Sequence, residues 1–136
     1  MNFCNFLSLL ILVFISFTAK AQNESSKLKE SMSSGKDIYA ANCVSCHMAT
    51  GEGIIGAFPP LAKSDYLMED VERSIKVIIE GATGEMKVNG QSYYGSMVGY
   101  NMLTDRQVAD VLNYIRNSWG NKGDIVESEE VSKVRK

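Results

Sequence analysis

Two cysteines and a histidine fall within five consecutive residues, Cys43-Val44-Ser45-Cys46-His47. Thiols two residues apart can close a short disulfide, supply half of a zinc site, run dithiol redox chemistry, or add to the vinyl groups of a haem. The choice depends on what the rest of the chain offers. His47 is the only histidine, and the third cysteine, Cys4, precedes an apolar run near the start of the chain.

A structural zinc ion needs about four thiolate or imidazole ligands in a closed tetrahedron. Without Cys4 the chain supplies two cysteines and one histidine, all crowded together. A thioredoxin-like dithiol sits after a strand. Upstream of Cys43 there is no β-branched run, only a polar stretch and an alanine-containing segment. A short structural disulfide would leave His47 without a role. Haem attachment uses all three residues. The thiols form thioethers along one edge of the porphyrin, and His47 ligates the iron as the proximal residue.

The compartment agrees with that chemistry. Phe6 to Phe17 is an apolar run of signal-peptide length, shorter than the roughly 20 residues of a membrane span, and Ala19-Lys20-Ala21 has the small-x-small pattern of a cleavage site. Residues 1–21 are therefore expected to be a signal peptide cut after Ala21, with an uncleaved anchor as the alternative. Removing 21 of the 136 residues leaves 115, enough for one domain. The chain has 14 basic and 16 acidic residues; Lys20 goes with the signal, so 13 face 16 and the net charge is −3. No basic face is available for nucleic acid.

The elements that must position this chemistry are short. Residues 22–34 are polar and read as a flexible leader. From Gly35 a short helix carries the cysteines near its end, and the glycine- and proline-containing stretch 48–62 must be a loop. Ser64–Glu80 reads as a helix with Val71, Ile75, Ile78 and Ile79 on one face and Gly81 at its end. Asn89-Gly90 predicts a tight turn, and hence a small hairpin near 86–94. Thr104 and Gln107 form a capping box opening a last helix, whose apolar stripe runs Val108, Val111, Leu112, Ile115 and Trp119. Residues 122–136 read as a charged tail. Three to four short helices bury little apolar surface by themselves; a haem in the middle would supply the missing core.

A second axial ligand must come from elsewhere than histidine. Methionine is the natural donor. Met32 lies in the polar leader, Met48 adjoins His47, and Met68 and Met86 read as ordinary packing. Met97 and Met102 both lie in a glycine-containing loop ahead of the last helix, and spacing does not separate them.

The stretches "GKDIYAANCVSCH", "GAFPPLA" and "YYGSMVGYNMLTDRQVADVLNYIRNSWGN" resemble the class I cytochromes c, closest to the small monohaem domains associated with periplasmic dehydrogenases and copper nitrite reductases. The likeness covers 35–121. It implies an all-α fold of short helices and long loops around one covalent haem c, with Cys43 and Cys46 as thioether residues. It makes Met97 the distal ligand with Met102 as the fallback, although Val98 stands where that family usually has proline. It also implies that the Pro59 carbonyl accepts the His47 Nδ1–H, with Pro60 as the alternative, and that the helix of Gly35 and Tyr39 crosses the last helix near Tyr114 and Ile115. The expected function is periplasmic transfer of single electrons between redox protein partners that dock transiently, not catalysis. The exposed rim is expected at Ile54, Ile55, Ala57 and Val98. A five-coordinate haem sensor or enzyme, and a cytochrome subunit docked on an oxidase or reductase, are the rival readings.

Overall fold

The computed structural model describes residues 22–136 in full and residues 3–21 by backbone alone, so the expected signal segment lies outside the fully described part. Helix α1 runs Phe3–Asn42, and α2 is a single turn, Val44–His47. Residues up to Glu30 form one unit, and Ser31–Lys136 form the packed domain. Within the described residues no helix is long and apolar enough to cross a membrane.

The polar stretch 22–34 is helical where a flexible leader was expected. Polar composition reports that a segment has little to bury, and residues 22–27 are indeed exposed. It does not forbid helix, since Lys, Glu, Leu and Met are all good helix formers and no proline interrupts them. The packed domain also begins earlier than residue 35. The Ser31 hydroxyl is buried and donates to Asp110 Oδ1 at 2.5 Å, and Asn113 Nδ2 donates to Ser31 Oγ at 2.9 Å.

The predicted helix over 64–80 is two helices, α3 (Asp65–Glu69) and α4 (Val71–Glu80). Asp70 divides them. Its backbone is extended, and its carboxylate accepts the Arg73 N–H as the cap of α4, while Ser64 caps α3 through the Leu67 N–H. Short polar side chains compete for backbone groups in this way, which is why they start helices more readily than they continue them. Gly81 ends α4 with φ 84°.

Strands β1 (Gly81–Val88) and β2 (Gln91–Val98) pair antiparallel. Asn89 and Gly90, both with positive φ, make the turn, so the hairpin extends over 81–98 rather than 86–94. Its tip is tied to the start of α3 by a reciprocal pair of bonds. The Asp65 N–H donates to Asn89 Oδ1 at 3.0 Å, and the Asn89 N–H donates to Asp65 Oδ1 at 2.7 Å.

Helix α5 (Asp105–Arg116) opens with the predicted Thr104/Gln107 capping box and forms the spine of the core, with Val108, Val111, Leu112 and Ile115 buried. It ends at Arg116, so Trp119 lies beyond the helix rather than on its stripe. Helix α1 crosses it at Gly35, where a Cβ would lie only 1.9 Å from the Asp110 carbonyl oxygen and 2.9 Å from Tyr114 Cβ. The backbones meet directly there.

The expected tail is also packed. Helix α6 (Ser128–Val134) lies against the core with Val131 fully buried. Val126 is buried too, and its N–H and C=O both pair with the side chain of Asn113, at 2.7 and 2.9 Å. Charged residues dominate 122–136, but two valines and one buried amide on α5 are enough to hold it.

Candidate functional site: a thiol- and imidazole-lined cavity

The attachment segment continues directly from α1. The Cys43 N–H donates to the Tyr39 carbonyl at 2.9 Å, and the His47 N–H closes on the Cys43 carbonyl at 3.0 Å. This single turn carries Cys43, Cys46 and His47 together. Met48, with φ 64°, then reverses the chain, and the Tyr39 hydroxyl donates to its carbonyl at 2.6 Å. Tyr39, Tyr114 and Trp119 pack around this point with ring centroids 5.1–5.5 Å apart. The cluster braces the α1/α5 crossing, in the place where that crossing was expected.

Loop 48–62 folds back on the histidine. The Gly51 carbonyl accepts both the Leu61 and Ala62 N–H groups, at 2.7 and 2.9 Å, and the Gly53 N–H donates to the His47 carbonyl at 3.2 Å. These bonds bring Pro59 to the ring: its carbonyl oxygen is 3.0 Å from His47 Nδ1. A carbonyl only accepts, so Nδ1 carries the proton and Nε2 of the neutral imidazole keeps its lone pair. Burial holds the His47 pKa below its usual value, opposed in part by the Pro59 hydrogen bond. The buried ring is therefore neutral and has a free donor nitrogen. Burial, followed by the neighbouring Cys46, pushes the Cys43 thiol up to about 11. Both thiols are free in this structure.

A cavity of about 400 Å³ opens beside these residues. Cys43, Cys46, His47, Pro59, Pro60 and Met97 all line it. Met102 does not, and is 72% exposed. Trp119 is likewise absent from the lining, in keeping with its place in the aromatic cluster. The walls are largely aliphatic and aromatic, with Ile78, Leu67 and Val111 among them, and among the described residues Glu85 is the only Asp, Glu, Lys or Arg that lines it.

The hairpin closes one side, and its register decides which side chains share a face. Ala82 pairs with Met97, Gly84 with Gly95 and Met86 with Tyr93. Alternation along a strand puts all six on one face, and all six line the cavity. Thr83, Glu85, Ser96 and Val98 of the other face also border it, but those four are exposed, whereas Met86 and Met97 are half-buried and Tyr93 is buried. Met86 was read from the sequence as ordinary packing, yet the Asn89-Gly90 turn already implied this register. Counting outward from it by twos reaches Met86 and Met97 together. The expected rim residues are at the surface: Ile55 is 88% exposed, Val98 67% and Ile54 43%, and Ala57 is exposed as well.

Two thiols, a neutral imidazole and an apolar cavity of this size match the demands of a covalently attached haem. Among the described residues no cluster of three or more His, Cys, Asp or Glu could hold a bare metal ion. Fold and site together define a small redox domain built around one attached prosthetic group.

This chain belongs to the cytochrome c family, whose pattern matches residues 32–119. It is 38% identical to cytochrome c-552 of Thermus thermophilus over 110 residues, which cover 74% of this chain and 83% of that protein. The cytochrome c subunit of a quinone alcohol dehydrogenase from Gluconobacter oxydans is 32% identical over 103 residues, covering 74% of this chain and 22% of the subunit. The cytochrome c subunit of gluconate 2-dehydrogenase from Pantoea cypripedii is 31% identical over 106 residues, 75% of this chain and 24% of that subunit. The chain is accordingly a class I cytochrome c carrying one covalent haem c, and it belongs to a family of electron carriers. The haem supplies a one-electron ferric/ferrous couple. The protein's part is to anchor it and keep water away from it.

Proposed function

We propose that this cytochrome is an exported, periplasmic carrier of single electrons whose iron is held between His47 and Met97. Cys43 and Cys46 form the thioethers. The Pro59 carbonyl fixes the tautomer of His47 and strengthens its donation to iron. The observation that carries the reading is the register of the hairpin. It sets Met97, with Met86, on the half-buried face lining the same cavity as His47, while Met102 lies outside it and 72% exposed; of the two, the likeness to the class I cytochromes c favours Met97. With both axial positions filled there is no open coordination site for a substrate, which favours electron transfer over catalysis.

Electrons cross at the rim formed by Ile54, Ile55, Ala57 and Val98. An apolar patch of this kind suits a small, short-lived interface with a redox protein. Dehydrogenases are a reasonable class of donor, since relatives include cytochrome subunits of enzymes that oxidise alcohols and gluconate.

The test is the visible spectrum of the haem-bearing protein, with and without carbon monoxide, beside Met97→Ala and Met102→Ala. The wild type is expected to be low-spin and slow to bind carbon monoxide. Its thioether-to-iron band should vanish in Met97→Ala alone, together with a fall in reduction potential, because a thioether ligand raises it. Loss of the band only in Met102→Ala would move the ligand. A high-spin wild type that binds carbon monoxide at once would refute the carrier.

A further inference from the structure

Arg135 is the penultimate residue of the chain, yet its guanidinium is committed on three sides. Nε donates to Asp105 Oδ1 at 2.6 Å, Nη2 to the Leu103 carbonyl at 2.7 Å, and Nη1 to the Asn101 carbonyl at 3.2 Å. These partners are the turn that leads from β2 into α5 and the first residue of α5. The family pattern ends at residue 119, so nothing in the family assignment accounts for this contact.

The turn matters because of what precedes it. Only Val98 and Gly99 separate Met97 from Tyr100. The chain between them passes so close to the end of α4 that a Cβ at Gly99 would lie 2.5 Å from the Ile79 carbonyl oxygen. The Tyr100 N–H then donates to the Ile78 carbonyl at 2.8 Å, and its hydroxyl donates to the Asn42 carbonyl, next to Cys43, at 2.7 Å. The turn closes with the Leu103 N–H on the Tyr100 carbonyl at 3.0 Å. Tyr100 and Leu103 both line the cavity. The inner side of the turn is thus tied to the attachment segment, and its outward carbonyls are left to Arg135.

The guanidinium is itself held in place. Val131, one turn earlier on α6, is fully buried, and Asn113 pins the backbone of Val126. A rigid strap therefore runs from the middle of α5 back to its N-terminus. A planar fork with donors on three nitrogens can bridge two carbonyls and a carboxylate that lie apart, which an ammonium, with all its donors on one nitrogen, matches less well.

We propose that Arg135 is a positioning residue, and that the α6 strap holds the turn behind Met97 so that the distal side of the haem cavity stays closed. The proposal goes beyond the axial assignment but uses it, so its test needs a readout independent of which methionine ligates iron.

Haem-bearing Arg135→Gln, Arg135→Lys and Asp70→Ala would be compared by the rate of carbon monoxide binding to the ferrous protein and by hydrogen exchange at the Leu103 amide. Hydrogen bonds from a charged donor are strong enough that losing them should open the turn about tenfold more often. Arg135→Gln is expected to raise both rates by about that factor, with partial rescue in Arg135→Lys. Asp70→Ala, which removes the N-cap of α4 and touches neither the strap nor the turn, should lower the melting temperature and leave both rates within about twofold.

Unchanged rates in Arg135→Gln would overturn the proposal. So would equal acceleration in Asp70→Ala, which would make the effect one of global stability. If Met97→Ala keeps the thioether band, the axial assignment fails by itself, and the Leu103 exchange rate still decides whether Arg135 holds the turn.

Discussion

Gly35→Ala tests the crossing on which the whole site is built. In an exposed helix this change stabilises by about 1 kcal/mol, because alanine is the better helix former. Here the added Cβ would lie 1.9 Å from the Asp110 carbonyl oxygen and 2.5 Å from its carbon. Ordinary contact begins near 3.4 Å, so α1 and α5 would have to separate locally by about 1.5 Å, in an interior with few voids to absorb the movement. The clash is with backbone, so no side-chain rotation relieves it.

Overpacking costs about 1–3 kcal/mol. Taking the upper value and subtracting the propensity gain leaves a loss of about 2 kcal/mol, and a melting temperature lower by about 10 °C. The disturbance also reaches the site, because Tyr39 lies one turn further along the same helix and Cys43 directly follows its last residue, with its N–H bonded to the Tyr39 carbonyl. The assay is thermal unfolding of the haem-bearing protein by circular dichroism, with the thioether band recorded alongside. An unchanged or raised melting temperature would refute the argument, since it would mean the two helices do not meet backbone to backbone.

Two further perturbations probe the braces and the rim. Tyr39→Phe removes the hydroxyl bonded to the Met48 carbonyl at 2.6 Å and should cost about 1–2 kcal/mol at neutral pH, read from denaturant unfolding. Burial raises the Tyr39 pKa well above its usual value of 10, so the folded state keeps this proton after the unfolded chain has begun to lose it. Wild-type stability should therefore fall as pH rises above about 10. Tyr39→Phe should show a shallower decline over the same range, and parallel curves would reject this source. Ile55 is 88% exposed, so Ile55→Glu should leave stability within about 0.5 kcal/mol. It should slow electron self-exchange between ferric and ferrous copies several-fold at low salt, as measured by nuclear magnetic resonance, and salt should restore the rate. A rate unaffected by the substitution would move the exchange surface away from this loop.

Short-range chemistry was legible in the sequence because neighbouring residues are enough to specify it. The Cys43-x-x-Cys46-His47 cluster lies within one helical turn, the Thr104 capping box is satisfied by atoms three residues apart, and the Asn89-Gly90 turn needs only positive φ at two positions. Where composition stood in for contacts, the reading went astray. Residues 22–34 looked unstructured because they are polar, and 122–136 because they are charged. Yet a segment's fate depends on what it meets, and Ser31, Val126 and Val131 each meet a complementary partner on or beside α5. The break at Asp70 escaped because the apolar period continues across it, while the local competition for backbone N–H groups goes the other way.

By itself, then, the sequence determined the attachment chemistry, the family and the principal turns, since each follows from residues adjacent in the chain. Only the tertiary structure set Met97 in the cavity wall and left Met102 outside it, because which methionine reaches the cavity depends on strand pairing and on the turn that follows. It also brought Pro59 to His47 across twelve residues and Arg135 to the turn at Asn101–Leu103 across more than thirty. Contacts at such separations are set by how the loops and helices pack, and no local pattern encodes them.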